Sequence, residues 1–331
     1  MKRLPRAAFL GLLALAAVLI GLASLRTGAV SVSWSEMFHP SSSTAGAVFL
    51  NLRLPRIVLG FLCGGILGLC GAALQGLFRN PLADPALIGV SGGAALGAVS
   101  AIVLFGSWAA SSLFVLPAAA FGGALAAAVL VHGIARANGR VLVSTLLLAG
   151  IAVNALTGAG IGWMVYGAND QQLRDFTFWS LGSLAGSGWM PVQVCLPLVA
   201  LSAFILLAAA RSLNALSLGE ADAWHLGTPV ESIKIRLLAA TALGVGGVTA
   251  FTGTIGFIGL VAPHLVRLAS GADHRVVLPG SFLIGGCLLL LADLVARTVR
   301  APAEIPVGVV VATVGAPFFL ALLLRGRGHG L

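Results

Sequence analysis

Apolar stretches near the length of a bilayer span alternate with short polar turns along almost the whole chain. They cover approximately residues 7–25, 57–77, 86–105, 113–134, 141–166, 191–210, 233–251, 253–267, 276–296 and 305–324. The stretch at 253–267 is short of the ~20 residues that an upright helix needs. Gly253, Gly256, Gly259 and Pro263 interrupt it, so it reads as a broken element or as a continuation of the stretch before it. The junction at Gly71–Gly97 organises the rest: one apolar segment closes, Arg79-Asn80-Pro81-Leu82-Ala83-Asp84-Pro85 turns, and a Gly/Ala-rich segment opens. Pro81 and Pro85 cannot both sit inside one straight helix, because each lacks an N–H and disfavours the α region before it. Helix, tight loop, helix is the expected local structure.

Composition makes the same point. Hydrophobic residues are 59% of the chain and charged ones 9%, against about 25% charged in soluble domains. An all-α polytopic membrane protein is expected, a single transmembrane domain over residues 1–331. Its 44 glycines suit helices whose backbones approach closely. A net charge of +9 would suggest nucleic acid in a soluble protein; here it reads as topology, with no nucleic-acid partner. Cys63, Cys70, Cys195 and Cys287 lie within apolar stretches without CxxC spacing, so they read as packing residues and no disulfide or metal framework is implied.

The N-terminus begins Lys2, Arg3 and Arg6 before the run 7–25. A cleaved signal peptide competes for this pattern, but the run is long for one and Leu25-Arg26 is a poor cleavage context. A retained first helix is expected. An even number of spans puts both termini on one side, and placing the N-terminus inside puts most of the 19 basic residues in cytoplasmic loops and tails. Arg26, Arg53, Arg56, Arg174, Arg297 and Arg300 then lie outside. Arginines that oppose the bias need a reason. Either they meet an acidic partner on the outer face, or they snorkel and pair with Asp293 and Glu304.

Two polar stretches are long. The outer loop 167–190 carries Phe176, Phe178, Trp179 and Trp189, which read as interfacial anchors. The inner loop 211–231, RSLNALSLGEADAWHLGTPVE, alternates apolar and polar positions over about three turns and reads as an amphipathic helix on the inner face. Glu220 and Asp222 argue against anionic lipid and for a groove in a partner protein.

Catalytic signals are few. No Walker A, HExxH, Rossmann fingerprint or paired His/Cys spacing occurs, so this chain is not expected to hydrolyse ATP. Gly89-Val90-Ser91-Gly92 matches the GxSG of rhomboid-type proteases, which also need a histidine at the depth of the serine. His264 is the candidate; small-residue packing is the simpler reading. A secondary transporter would place ionisable groups near mid-membrane. Here Asp293 lies near an outer end and His132 near an inner end, while Gln75 and Asn154 read as interhelical hydrogen-bond partners. His225 reads as a solvated neighbour of Trp224, and His39, His274 and His329 as loop residues.

Several separated stretches resemble one family: LRLPR (52–56), GAALQGLFRNPLADPALIGVSGGA (71–94), LLLAGIAVNAL (146–156), WSLGSL (179–184), LGEADAWHLG (218–227), GTIGFIGLVAPHLVRLASGADHRVVLPGS (253–281), LADLVAR (291–297) and EIPVGVVVATVGAPFF (304–319). In order and over nearly the whole chain, they are similar to the permease subunits of ATP-binding-cassette importers for iron chelates, haem and cobalamin. That resemblance implies about ten transmembrane helices per subunit, a bacterial inner membrane with both termini cytoplasmic, and a homodimer around a central translocation pathway. It also implies two ATPase subunits that bind ATP and magnesium, a periplasmic substrate-binding protein, and no cofactor on this chain. By the same resemblance Arg53, Arg56 and Arg297 meet acidic residues of the binding protein. Leu218, Gly219, Glu220, Ala221, Ala223, Leu226 and Gly227 contact the ATPase, within a coupling loop at 211–231. Asn80, Leu82, Val143 and Ser144 line the cytoplasmic gate, and the loop at 167–190 is periplasmic. The stretch 169–184 looks most like haem-importer permeases; a ferric siderophore or cobalamin suits an apolar, weakly charged pathway nearly as well. No residue stands out as a haem-iron ligand, since a fixed axial ligand would trap what must pass.

Overall fold

The computed structural model of the chain describes residues 5–27, 44–137 and 140–326; Lys2, Arg3, His39, Arg327 and His329 lie outside them. The first helix, α1 (Arg6–Arg26), is followed by α2 (Thr44–Val48), which runs through a π-helical turn (Phe49–Arg53) into α3 (Leu54–Phe78). A 3-10 turn (Pro85–Ile88) leads to α4 (Val90–Ser111) and α5 (Val115–Ala135). Two short antiparallel strands, β1 (Arg136–Ala137) and β2 (Arg140–Val141), precede α6 (Val143–Tyr166). Then come α7 (Asp170–Ser180), α8 (Trp189–Ala208), α9 (Ala210–Leu216) and α10 (Glu220–His225), followed by α11 (Val230–Thr252), α12 (Ile258–Ser270), α13 (His274–Thr298) and α14 (Val307–Gly326).

Among the described residues, seven helical runs are long and apolar enough to cross a membrane; Val90–Gly106, Ile258–Ser270 and Val307–Ala321 are shorter apolar helices. Each stretch anticipated from hydropathy therefore holds a helix. In a bilayer this is forced, since a spanning segment must satisfy its backbone groups internally.

What brings the helices together is small residues. Gly64 and Gly68 on α3 face Gly285 and Ser281 on α13 so closely that a Cβ on Gly64 would lie 2.3 Å from the Gly285 carbonyl oxygen. On Gly68 it would lie 2.3 Å from that of Ser281. A second seam joins α4 to α5 through Gly93 and Gly97 against Gly123 and Ala119, with equivalent separations of 2.3 and 2.1 Å. Glycines four residues apart align on one helix face and permit backbone contact, which is the association that lipid leaves available. Helix α11 packs against α3, α5 and α8 in the centre, whereas α1 rests on α13 with Ser24 buried and Leu12, Leu15, Val18 and Leu19 exposed.

The junction at Arg79–Pro85 is the expected turn. Helix α3 ends with Arg79 in the left-handed region at φ 50°, and the N–H of Asn80 reaches back to the Gln75 carbonyl at 3.1 Å. The Asn80 side chain accepts from the Leu82 N–H at 2.9 Å, and that of Asp84 caps the 3-10 turn through the Ala86 N–H at 2.9 Å. The short eighth stretch resolves as a separate helix, α12, because the chain breaks at 253–257. Gly253 has φ 69° and Phe257 φ 64°, and a side chain on Gly253 would collide with the Trp179 carbonyl.

Two expectations for the polar stretches need correction. The outer loop is not only a loop: α7 spans Asp170–Ser180, begun by a reciprocal cap between Asn169 and Gln172. Of its aromatics, Trp179 packs into the core and stacks on Phe176, Phe178 is exposed, and the Trp189 indole N–H donates to the Leu50 carbonyl. The inner loop is not one amphipathic helix but two short ones, α9 and α10, because Gly219 adopts φ 129° and ψ 156°. No helix continues through that conformation.

The seams yield a direct test. Gly64→Leu or Gly93→Leu should cost more than the about 1–3 kcal/mol usual for overpacking, because the obstruction is backbone. Gly21→Leu on α1, with nothing within 4 Å, should be tolerated. Thermal unfolding in detergent with size-exclusion profiles would show it; equal behaviour of the three variants would contradict the packing account.

Candidate functional site

Two polar clusters flank the bundle. The outer one joins α3 to α13 and the chain beyond it. Arg56, in the first turn of α3, donates to Asp293 through Nε at 3.1 Å and Nη2 at 2.8 Å, and to Glu304 through Nη1 at 2.9 Å and Nη2 at 3.0 Å. A planar guanidinium can grip two carboxylates in this manner; an ammonium cannot. Asp293 is fully buried, and Arg297 one turn on stands 3.6 Å from it while donating to the Ser24 hydroxyl at 2.7 Å. Arg53 is 6% exposed and donates to the Leu25 carbonyl at 2.9 Å, closing the end of α1. The pairing of Arg56 with Asp293 and Glu304 was one of the two readings open from the sequence. These arginines also line a hollow of about 270 Å³ with Leu52, Ser187 and Glu304. Among the described residues this cluster sets three guanidiniums beside two carboxylates.

On the opposite face, α10 and its flanks carry the predicted coupling residues. Leu218, Leu226 and Trp224 are 63%, 65% and 67% exposed, an apolar patch beside the exposed acidic residues Glu220 and Asp222. Trp224 was not among the residues singled out for this role; its exposure only emerges in the fold. Ala223 is buried beneath the patch, Ala221 is exposed, and Gly227 turns the chain at φ 78°. Gly219 lies beside Arg79, where an added Cβ would sit 3.9 Å from the guanidinium.

Of the residues expected at a gate, Asn80 and Leu82 occupy the turn after α3, and Val143 and Ser144 the first turn of α6; Leu82 is 44% exposed and Ser144 exposed. The two segments belong to one packed unit. The Asn154 amide of α6 donates to the Ala86 carbonyl at 2.9 Å, and Gly150 lies flat against the Leu87 carbonyl.

Lys234, one of the basic residues that the topology reading assigns to cytoplasmic loops and tails, is 2% exposed. Its ammonium donates to Glu220 at 2.7 Å, Glu231 at 3.1 Å and the Val141 carbonyl at 2.7 Å. The other oxygen of Glu231 accepts from the Val141 N–H at 2.7 Å. Burying a lysine is costly unless all three donors are satisfied, and here they are. Nearby, Asp273 caps α13, accepts from Asn214 at 2.8 Å and pairs with Arg6 at 2.8 Å. The Asn214 amide, then the Arg275 N–H, hold its carboxylate below the usual range.

The remaining sequence signals find ordinary places. Gln75 donates to the Gly259 carbonyl at 3.2 Å and accepts from Arg267, so it and Asn154 are interhelical partners as read. All four cysteines are buried and free. Gly92 beside Ser91 packs on Asn154 and Thr157 of α6, and His264 turns its ring edge to Phe318 of α14. No hydrogen bond joins Ser91 to His264 among the described residues, so the protease constellation is not assembled. No group of His, Cys, Asp or Glu suited to a metal occurs among them either.

An apolar helical bundle with an exposed apolar and acidic patch at one end and an ion-paired cluster at the other is the architecture of a multi-pass membrane transport protein. The chain belongs to the FecCD transport family, which matches residues 14–325, and is a permease of an ABC importer. It is 45% identical over 320 residues to the hemin transport system permease HmuU of Yersinia pestis, covering 96% of both chains. It is 47% identical over 282 residues to the cobalamin import permease BtuC of Halobacterium salinarum, covering 85% of this chain and 74% of that one. A solved structure described as an inward-facing metal-chelate-type ABC transporter superposes with a TM-score of 0.87 at 32% identity, over 96% of this chain and 99% of the other.

The outer network predicts its own behaviour. Arg56→Gln leaves Asp293 buried with Arg297 alone at 3.6 Å, and should cost on the order of 3–5 kcal/mol, as breaking buried pairs does. Asp293→Asn should cost a similar amount, and the double variant less than the sum. Additive losses in thermal unfolding would show that the two residues do not act as a pair.

Proposed function

We propose that this chain is the permease of a haem importer of the bacterial inner membrane. Two copies enclose one pathway, two ATPase subunits with ATP and magnesium bind the inner face, and a periplasmic binding protein delivers substrate from outside. Both termini lie in the cytoplasm, and the chain itself binds no cofactor. The observation that carries the haem reading is the similarity to the Yersinia pestis hemin permease over 96% of both chains. The chemistry is compatible: α6 has no Asp, Glu, Lys, Arg or His from Val143 to Tyr166, and its exposed side chains include Leu148, Ile151, Leu156 and Trp163. Such a surface suits a flat, largely apolar macrocycle and holds no fixed iron ligand. Cobalamin is the second reading, favoured by the similarity to the Halobacterium permease.

In this mechanism the loaded binding protein docks on the outer rim through Arg53, Arg56 and Arg297. The apolar patch Leu218, Trp224 and Leu226 seats α10 in a groove of the ATPase. Closure of the ATPase pair moves α10, and the gate at Asn80, Leu82, Val143 and Ser144 follows. Binding is weak along the pathway so that substrate leaves it.

Proteoliposomes carrying this permease with its ATPase test the reading, given binding protein loaded with haem, a ferric siderophore or cobalamin. ATP-dependent uptake of haem alone is the predicted result. Cobalamin or siderophore uptake without haem would overturn the substrate, and uptake without any ATPase would overturn the mechanism. In the same vesicles Arg53→Gln should raise the binding-protein concentration at half-maximal uptake, more at low salt than at high. An unchanged value would remove Arg53 from docking.

A further inference from the structure

We propose that Lys234 is the positioning residue through which displacement of α10 reaches the cytoplasmic gate; the proposal rests on the reading of α10 as the ATPase contact. Three elements converge on its ammonium and each supplies one acceptor. Glu220 is the first residue of α10, Glu231 lies in the first turn of α11, and Val141 ends β2, two residues before Val143. The Val141 peptide is held at both of its polar groups, its carbonyl by Lys234 and its N–H by Glu231. The next residue is pinned as well, since the Leu142 N–H donates to the Ala135 carbonyl at the end of α5 at 3.2 Å. The start of α6 is therefore held as a unit, and an ionic arm reaching out of it through Lys234 ends on α10.

The exposure pattern gives the arrangement a direction. The Glu220 side chain is 44% exposed and that of Glu231 34%, whereas that of Lys234 is 2% exposed. The outer end of the arm is thus on the surface offered to the ATPase, and its inner end is locked in the protein. An apolar residue in place of Lys234 alone would remove a buried ammonium but leave the Val141 carbonyl and the Glu231 carboxylate without their donor, which is destabilising. The coupling ratio, which a loss of stability alone does not alter, is therefore what separates transmission of position from bracing. A push or pull on α10 would shift two short charge-assisted bonds, and through the Val141 carbonyl the displacement reaches β2 together with Val143 and Ser144.

The test is a double-variant cycle in the reconstituted complex, read as substrate moved per ATP hydrolysed. Lys234→Met and Glu220→Ala should each lower that ratio by about tenfold, and the double variant should fall no further, because both cut the same link. A ratio within about twofold of wild type in Lys234→Met, or losses that multiply in the double variant, would overturn the proposal. Gly219→Trp in the same assay separates the contact at α10 from the Lys234 link. If it uncouples while Lys234→Met does not, the contact at α10 stands and the Lys234 link fails; if neither does, the coupling reading itself fails. For the case in which Lys234→Met does not fold, a partner-free readout uses the exposed arm. Spin labels at Asp222→Cys and Ser144→Cys in the permease alone should give a narrow distance distribution that Glu220→Ala broadens. An unchanged distribution would overturn the link, since no ATPase contact enters that measurement.

Discussion

Close backbone approach between α3 and α13 is the contact on which the other features depend. In a bilayer, lipid chains compete equally for apolar side chains, so helices gain little from burying leucine against leucine. Gly64 and Gly68 remove the side chains from the crossing and let the helices meet carbonyl to Cα. The crossing places the start of α3 beside the end of α13, which brings Arg56 to Asp293, 237 residues apart in sequence. It also leaves Gly76, at the far end of α3, against His274 at the start of α13. Without this seam the outer cluster would not assemble.

The two clusters solve the same desolvation problem in different ways. At the outer rim the ionic groups are shared within α3, α13 and the chain at Glu304, with α1 tied on through Ser24 and the Leu25 carbonyl, so the network braces the bundle. At the inner face the ammonium of Lys234 is surrounded by short elements, α10, β2 and the first turn of α11. A brace within long helices resists motion; a link among short elements carries it. That difference accords with an outer rim receiving a docked partner and an inner face receiving mechanical work.

Much of this was legible in the sequence. Hydropathy located the helices because a spanning segment has few alternatives to an apolar helix. The turn at Arg79–Pro85 was written in two prolines, an asparagine and an aspartate whose local chemistry is short-range. What escaped was set by tertiary contact. Helix α7 is short and polar, and its cap at Asn169 and Gln172 was read as part of a loop. The break at Gly219 depends on a positive φ that glycine permits but does not announce. Lys234 looked like an ordinary cytoplasmic charge, since nothing adjacent in sequence shows that Val141 lies against it. For Arg53 and Arg297 the sequence left open an outer partner or pairing within the chain; their burial follows from α1 lying across them.

The central claim is that the gate at the start of α6 moves when the ATPase closes on α10. The most direct measurement is the distance between spin labels at Ser144→Cys in the two copies of the assembled importer, taken without nucleotide and with ATP trapped. Ser144 is exposed, and the four native cysteines are buried and so compete little for label. A change in the Ser144–Ser144 distance on ATP binding, abolished when α10 is disengaged by Gly219→Trp, is the result the account predicts. A distance that stays the same through the ATP cycle while substrate is transported would contradict it.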